Sequence, residues 1–131
     1  MFNAPCTISE VTDTINNLQN CKYICLDGFL TIVVKSVSNH IAKQLTHIFN
    51  LLFTSGVLPG KLKLAKVTPI FKSNDKISVN NYRPISLLPV FSKVLEKLMH
   101  KRLVSFFVHK CNLLTEYQHG FREKHSTYMA L

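Results

Sequence analysis

The residues best able to do chemistry in this sequence are its cations, which outnumber its acids by more than two to one. The 131 residues contain 16 Lys and Arg against 7 Asp and Glu, a formal net charge of +9. Residues 1–50 contain three bases and three acids, so residues 51–131, with 13 bases and 4 acids, carry the whole excess. The second part of the chain is therefore expected to face a polyanion, although a solvated basic surface without a partner fits the same composition.

Three of these cations, Lys93, Lys97 and Lys101, recur every four residues in a segment of helical periodicity. On one helix face such a column costs roughly a few tenths of a kcal/mol per like-charge pair. A phosphate chain beside the column would offset this repulsion, and lysines that fan into water are the alternative. The same column could bind an acidic protein, so a small basic helical module that binds nucleic acid or an acidic protein without catalysis is the second hypothesis.

Chemistry that needs clustered acids or metal ligands has little support in the sequence. None of the seven acids forms an adjacent pair, and there is no Gly-rich phosphate loop followed by Lys-Ser/Thr. Cys21 and Cys25 have a spacing that some zinc sites use, but no second pair or nearby His completes four ligands. We expect reduced, buried thiols in an intracellular protein, and no metal site. No apolar stretch approaches the about 18 residues of a membrane span, so no membrane partner is expected, and the oligomeric state stays open.

Two apolar patterns predict helices in residues 1–60. Thr7 stands three residues before Glu10, the arrangement of a capping box, which predicts that a helix begins there. Its apolar face has spacings of three or four and comprises Ile8, Val11, Ile15 and Leu18. A longer stripe predicts one continuous helix and comprises Val34, Val37, Ile41, Leu45, Ile48 and Leu52. Gly56 is expected to end that helix in the left-handed conformation, ahead of Pro59-Gly60.

The pattern changes to an alternation of Lys and apolar residues between Lys61 and Phe71, which predicts a strand. Pro69 places this strand at a sheet edge or a bulge. Residues 80–87 predict a second short strand after a polar turn, and a third helix is expected to begin near Pro89 and to carry the lysine column. The expected fold class is α+β, mostly helical, with a two-stranded hairpin between long helices.

Three strings of the sequence, taken together and in order, are more specific than any one of them. They are SGVLPGKLKLAKVTPIFKSND, NYRPISLLPVFSKVLEKL and LLTEYQHGFREKHST. In this order and spacing the sequence resembles the early part of the reverse transcriptase domain of non-LTR retrotransposons, the LINE-like and jockey-like elements. Asp27-Gly28 matches an Asp-Gly pair of that family. The resemblance implies that residues 1–60 are the helical region before the fingers of a right-hand polymerase and that residues 61–131 are the fingers segment.

The resemblance also implies partners and site residues. The partners would be an RNA template, a DNA primer and a deoxynucleoside triphosphate (dNTP). Lys72 and Arg83 match the basic residues of the two fingers strands that face the triphosphate; a lysine acts there as a point charge, and an arginine directs two N–H groups toward phosphate oxygens. A later motif that meets the nucleic-acid backbone is matched by Gln118, Gly120, Phe121 and Arg122. Gly120 as a turn residue and Phe121 as a core residue are the alternatives. Further contacts to nucleic acid are expected from Lys61, Lys63, Lys66, Lys93, Lys97 and Lys101.

The sequence departs from the family pattern at two loops. Tyr23 and Cys25 stand where the family usually has a small hydroxyl residue and Gly, and residues 123–125 replace a basic residue, Gly and Arg. The family's metal-binding aspartates, which hold the Mg²⁺ ions of phosphoryl transfer, would come after Leu131. We therefore expect a truncated segment with no catalytic residue, metal site or cofactor of its own. A product without function is the third hypothesis.

Overall fold

A computed structural model of the chain describes residues 4–20 and 27–110, together with Gln118, Gly120, Ser126 and Tyr128. In these residues the elements are helices α1 (Ile8–Asn16), α2 (Thr31–Ser36), α3 (Ser38–Ser55) and α4 (Gly60–Lys63), strands β1 (Lys66–Phe71) and β2 (Tyr82–Leu87), and helix α5 (Val90–Val104). A 3₁₀ turn at Val79–Asn81 precedes β2, and a π-helical segment at Ser105–Lys110 follows α5. The predicted mostly helical α+β class with one hairpin is confirmed.

The described residues fall into two compact units divided after Leu98. The larger unit holds α1 to α4, the hairpin and the first part of α5, and it contains the core described below. The smaller unit includes the rest of α5 from Met99 onward and the π-helical segment. The boundary between the helical region and the fingers segment, expected after residue 60 from the family resemblance, stays a prediction.

Helix α1 begins where the capping pattern predicts. The side chain of Thr7 accepts a hydrogen bond from the backbone N–H of Glu10 at 3.2 Å, which satisfies one of the unpaired donors of the first turn. Val11 and Ile15 are fully buried, and Leu18 joins the same core just after the helix ends. Ile8 stays half exposed at the first turn, so the packed face of α1 starts one turn later than its apolar pattern.

The prediction of one continuous helix through residues 34–52 is wrong. Val37 has φ −104° and ψ 9°, outside the helical region, and it separates α2 from α3. The face that α3 buries is also different, because it is formed by Ser38, Ala42, Thr46 and Phe49. Ile48, a member of the predicted stripe, remains 46% exposed.

The buried face of α3 consists mostly of small side chains. Helix α3 packs against α1, and the Ser38 hydroxyl donates to Asn16 Oδ1 at 3.3 Å. Ser38, Ala42 and Thr46 are buried together with Phe49. The larger residues Ile41, Leu45 and Leu52 are only partly buried against the core.

The segment before the hairpin also differs from its prediction. Gly60–Lys63 forms a helical turn rather than a strand, and β1 begins only at Lys66. Pro59, with its fixed φ near −55°, precedes this turn. Leu62 packs against the core, and its carbonyl accepts a hydrogen bond from Ser92 Oγ on α5 at 2.9 Å. Tertiary contacts therefore override the local alternation of Lys and Leu.

The hairpin itself matches its prediction in position and in its use of proline. β1 pairs antiparallel with β2, and Pro69 lies directly opposite Pro84. Neither residue has an N–H, so two prolines can face each other only at a position without ladder hydrogen bonds. The sheet has two strands, so both prolines lie on edge strands.

The core of the larger unit joins helices α1, α3 and α5 to the chain before α1. Its fully buried members include Val11, Ile15, Phe49, Val94 and Leu98. Cys6 is buried, as expected for this cysteine, whereas Cys21, Cys25 and Cys111 lie outside the described residues. The side chain of Asn50 on α3 accepts from the backbone N–H of Cys6 at 2.6 Å and donates to its carbonyl at 3.2 Å, which holds the N-terminal segment on α3.

Candidate nucleic-acid interface

Lys72 and Arg83 lie at the loop end of the hairpin, on the same face. Arg83 pairs with Ile70 in the register, and Lys72 continues the pairing because its N–H donates to the carbonyl of Asn81 at 2.8 Å. Alternate residues of a strand share a face, so the Lys72 and Arg83 side chains are diagonal neighbours, with about 7–8 Å between such positions. Both side chains are exposed. Two cations at this spacing can contact different oxygens of one oligophosphate.

The loop that joins the strands is held by side chains, so the two cations project from an ordered support. The Ile77 N–H donates to Asp75 Oδ1 at 3.0 Å, and Asn81 Nδ2 donates to the Asp75 carbonyl at 2.7 Å. The Tyr82 hydroxyl donates to the Lys76 carbonyl at 2.9 Å. Asn74 adopts φ 70°, a left-handed conformation that Asn tolerates better than most residues.

Lys76 is a cation of this site that sequence reasoning missed. Its Nζ lies 5.8 Å from the centroid of the Phe71 ring, and Phe71 in turn packs edge to face with Tyr82 at 5.6 Å. A lysine over an aromatic face is held by a cation–π interaction. In the sequence, Lys76 stands two residues after Asn74 in a polar turn. A single loop lysine of this kind does not by itself indicate a binding site.

The three lysines before and within β1 are exposed, as a nucleic-acid contact requires. Lys61 and Lys63 lie on α4 rather than on a strand, and Lys66 is the first residue of β1. The strand predicted from Lys61 onward therefore includes only Lys66 of these three lysines. Their roles toward nucleic acid stay predictions.

All three lysines of the predicted column lie on α5, with Lys93 half buried and the other two exposed. Lys97 is engaged within the fold, because its Nζ donates to the carbonyl of Asn17 at 3.3 Å, at the end of α1. Lys101 belongs to the smaller unit. The three lysines therefore lie on one helix as predicted, and Lys97 also forms a hydrogen bond from α5 to the residue after α1.

The residues of the later motif are only partly described. The side-chain amide of Gln118 donates to the carbonyl of Gly120 at 3.2 Å. A Cβ at Gly120 would lie 3.8 Å from Gln118 Nε2, an ordinary van der Waals distance. Phe121 and Arg122 lie outside the described residues, and their predicted roles stand untested.

Asp27 has a structural role that local patterns could not indicate. One of its carboxylate oxygens, Oδ2, accepts from the backbone N–H of Val90 at 2.9 Å, at the start of α5 and 63 residues away. Oδ1 accepts from the N–H of Phe29 at 3.3 Å, and Gly28 between them has φ 75°. A carboxylate at this end of a helix satisfies a free donor and complements the helix dipole. The Asp-Gly pair thus positions the helix that carries Lys93 and Lys97.

Among residues 4–20 and 27–110 and the four isolated positions, no three His, Cys, Asp or Glu side chains come together as metal ligands would. No helix in that same part of the chain is both long and apolar enough to cross a membrane.

Comparison with known proteins relates the chain to mobile-element polymerases. It is 30% identical over 124 residues to the probable RNA-directed DNA polymerase from transposon BS of Drosophila melanogaster. This alignment covers 94% of this chain and 14% of that protein. It is 32% identical over 124 residues to the probable RNA-directed DNA polymerase from transposon X-element of the same species, with 94% and 13% covered. Against the RNA-directed DNA polymerase from mobile element jockey of Drosophila funebris it is 28% identical over 124 residues, with 94% and 13% covered.

The chain is thus related along nearly its whole length to RNA-directed DNA polymerases of mobile elements. More specifically, the resemblance to the reverse transcriptases of non-LTR retrotransposons, which the three strings indicate, is confirmed. The chain spans only 14%, 13% and 13% of the lengths of these three relatives. No family model matches it.

Proposed function

We propose that the chain is a fingers segment of an RNA-directed DNA polymerase and that it faces the RNA template, the DNA primer and the incoming dNTP. One observation carries the proposal: a chain related to such polymerases over 94% of its length places Lys72 and Arg83 on one face of a hairpin. The hydrogen bonds of the loop between the strands hold the backbone that carries both residues. Two cations on one face favour a triphosphate over a singly charged ligand by their charge.

The two cations would divide the work on the triphosphate. Arg83 can direct two N–H groups to oxygens of one phosphate, while Lys72 can follow the charge of a neighbouring phosphate on its flexible stem. The remaining exposed lysines, together with the Gln118-to-Arg122 motif, would contact the backbone of the template–primer duplex. Such contacts position a polymer without reading its sequence.

The metal-binding part of the reaction is proposed to lie elsewhere in the complete domain. Phosphoryl transfer by two Mg²⁺ ions uses clustered carboxylates, whereas the seven acids of this chain are spread along the sequence. Asp27 and Asp75 are each engaged in backbone hydrogen bonds at separate loops. We therefore propose that this segment alone binds substrates and does not polymerise.

The first test measures the binding of a labelled primer–template duplex to the chain by fluorescence anisotropy. The salt concentration is varied from about 50 to about 300 mM, a range over which counterion release changes the affinity strongly. Affinity should fall linearly on a log–log plot, since each phosphate contact releases counterions. Absence of binding at low salt, or displacement by polyglutamate as efficient as by DNA, would contradict a nucleic-acid role.

The second test concerns the triphosphate. Titration of a dNTP into the isotope-labelled chain should shift backbone NMR signals around Lys72 and Arg83, and the variant Lys72→Ala/Arg83→Ala should lose these shifts. The control Lys35→Ala/Lys43→Ala removes the same charge from α2 and α3. If both double variants respond alike, the effect is one of net charge and the assigned roles are wrong.

A further inference from the structure

An open groove of about 470 Å³ lies in the larger unit between the end of α1 and the exposed face of α5. Residues 17–20 form one wall, and Lys93, Glu96 and Lys97 form the other. Its volume lies in the range of about 300–1,000 Å³ that small-molecule sites occupy.

The wall after α1 is a row of amides on a fixed support. Asn17, Gln19 and Asn20 offer both donors and acceptors to the groove. The Asn17 N–H donates to the Asp13 carbonyl at 3.0 Å, and Leu18, buried in the core, holds the chain between the amides. The amides are therefore presented by a turn whose backbone is already anchored, which lowers the entropic cost of using them on a ligand.

The opposite wall supplies charge. Lys97 is held at the groove by its bond to the Asn17 carbonyl, and that bond uses one of the three donors of its ammonium group. Lys93 lines the groove one turn earlier on the same helix, and Glu96 lies between them in sequence. The Glu96 carboxylate repels phosphate but accepts from exocyclic amino groups of bases. The groove thus combines phosphate-binding cations with side chains that can pair with base edges.

We propose that this groove binds one nucleotide of single-stranded RNA, with the amides and Glu96 on the base and Lys93 and Lys97 on the flanking phosphates. The inference rests on the proposed function, which supplies the nucleic-acid partner. Single-stranded RNA is the form proposed, because the Watson–Crick edges of a base are accessible to amide side chains only when the base is unpaired, and the major groove of an RNA duplex is too narrow for side chains to enter. In a duplex those edges are occupied by the opposite strand.

The experiment uses the full chain and a fluorescently labelled RNA of about ten nucleotides, within the site size of single-strand-binding modules. The variant Gln19→Ala/Asn20→Ala should weaken binding by roughly 5–10-fold without changing its salt dependence, since amides displace no counterions. Lys93→Ala should instead lower the slope of log affinity against log salt by about 0.7, the value expected for one phosphate of a single strand. Lys97 is left unchanged because its loss would also remove the hydrogen bond to the Asn17 carbonyl.

The matched control is Asn39→Ala/Gln44→Ala, which removes two exposed amides from α3 outside the groove. Circular dichroism and urea unfolding serve to check that each variant retains the helical fold. The control should bind RNA as the unaltered chain does, and equal weakening by both amide pairs would overturn the groove assignment.

The outcomes separate this inference from the proposed function. If the chain binds the primer–template duplex but the groove variants bind single-stranded RNA normally, the groove assignment fails and the proposed function stands. If the chain binds no nucleic acid at low salt, both fail together.

Discussion

At the scale of single residues, Thr31 has the environment least suited to its chemistry. It is 1% exposed at the first turn of α2, and within the described residues its hydroxyl is the one buried side-chain polar atom without a hydrogen-bond partner. A buried hydroxyl that loses water without gaining a partner costs about 1–3 kcal/mol. A methyl group of the same shape would avoid this cost.

We expect Thr31→Val to raise the free energy of unfolding by about 1 kcal/mol, because it replaces the unpaired hydroxyl with an apolar group of equal size. Urea unfolding followed by circular dichroism measures the change. Thr46→Val is the matched control, since that buried hydroxyl donates to the Ala42 carbonyl at 2.7 Å and its loss should not stabilise the chain. A Thr31→Val variant less stable than the parent would show that the hydroxyl is satisfied.

At the scale of elements, the start of α5 depends on a residue far away in sequence. The Asp27 carboxylate accepts from the Val90 N–H, and the ring of Phe29, two residues later, meets Phe91 edge to face at 5.7 Å. The hydrogen bond and the ring contact together orient the first turn of the helix that carries Lys93 and Lys97. The position of the lysines therefore depends on a loop that carries no cation.

Asp27→Ala should lower the stability of the chain by about 0.5–2 kcal/mol, the usual cost of a lost helix cap. Hydrogen exchange of the Val90 amide should accelerate more than that of amides in the middle of α3, because the first turn of α5 loses its acceptor. Asp27→Asn retains an acceptor oxygen and should recover most of the loss. Asp13→Ala, at an exposed carboxylate on α1, serves as the control, and an equal effect there would refute the capping role.

At the scale of the whole chain, the hairpin has apolar residues that the fold leaves in water. Ile77 is 89% and Val79 84% exposed at its loop, and Val67 and Ile70 on β1 are also exposed. These side chains contribute little to the stability of this chain, because burial is what makes an apolar group stabilising. They do provide apolar surface for association.

Ile77→Ser/Val79→Ser should therefore leave the free energy of unfolding within about 0.5 kcal/mol of the parent, as surface substitutions usually do. It should at the same time reduce binding of a hydrophobic dye and retention on a hydrophobic-interaction column. Ile15→Ser, at a fully buried core position, should unfold the chain and is the contrasting variant. A large loss of stability from the loop variant would place its side chains in a packed core instead.

Several elements were predictable because their causes are local. Helix α1 begins after Thr7, whose hydroxyl accepts from the N–H of Glu10 three residues later. Helix α3 ends at Gly56, which has φ 67° as its position predicts. The two strands were predictable from the alternation of polar and apolar residues, and their place at a sheet edge from prolines, which lack a backbone N–H. The break at Val37 and the helical turn at Gly60–Lys63 were not predictable, because each depends on what packs against it.

The candidate site divides in the same way. Lys72 and Arg83 lie on one hairpin because local pairing puts them there, and the family resemblance followed from the order of three strings in the sequence alone. Only the tertiary structure decided that Asp27 caps α5 from 63 residues away and that Lys97 meets the Asn17 carbonyl across 80 residues. Capping, alternation and turn preferences act within a few residues, whereas these contacts exist only after the helices pack. The sequence by itself thus determined the chemistry the chain carries, and packing of α1, α3 and α5 decided which groups meet.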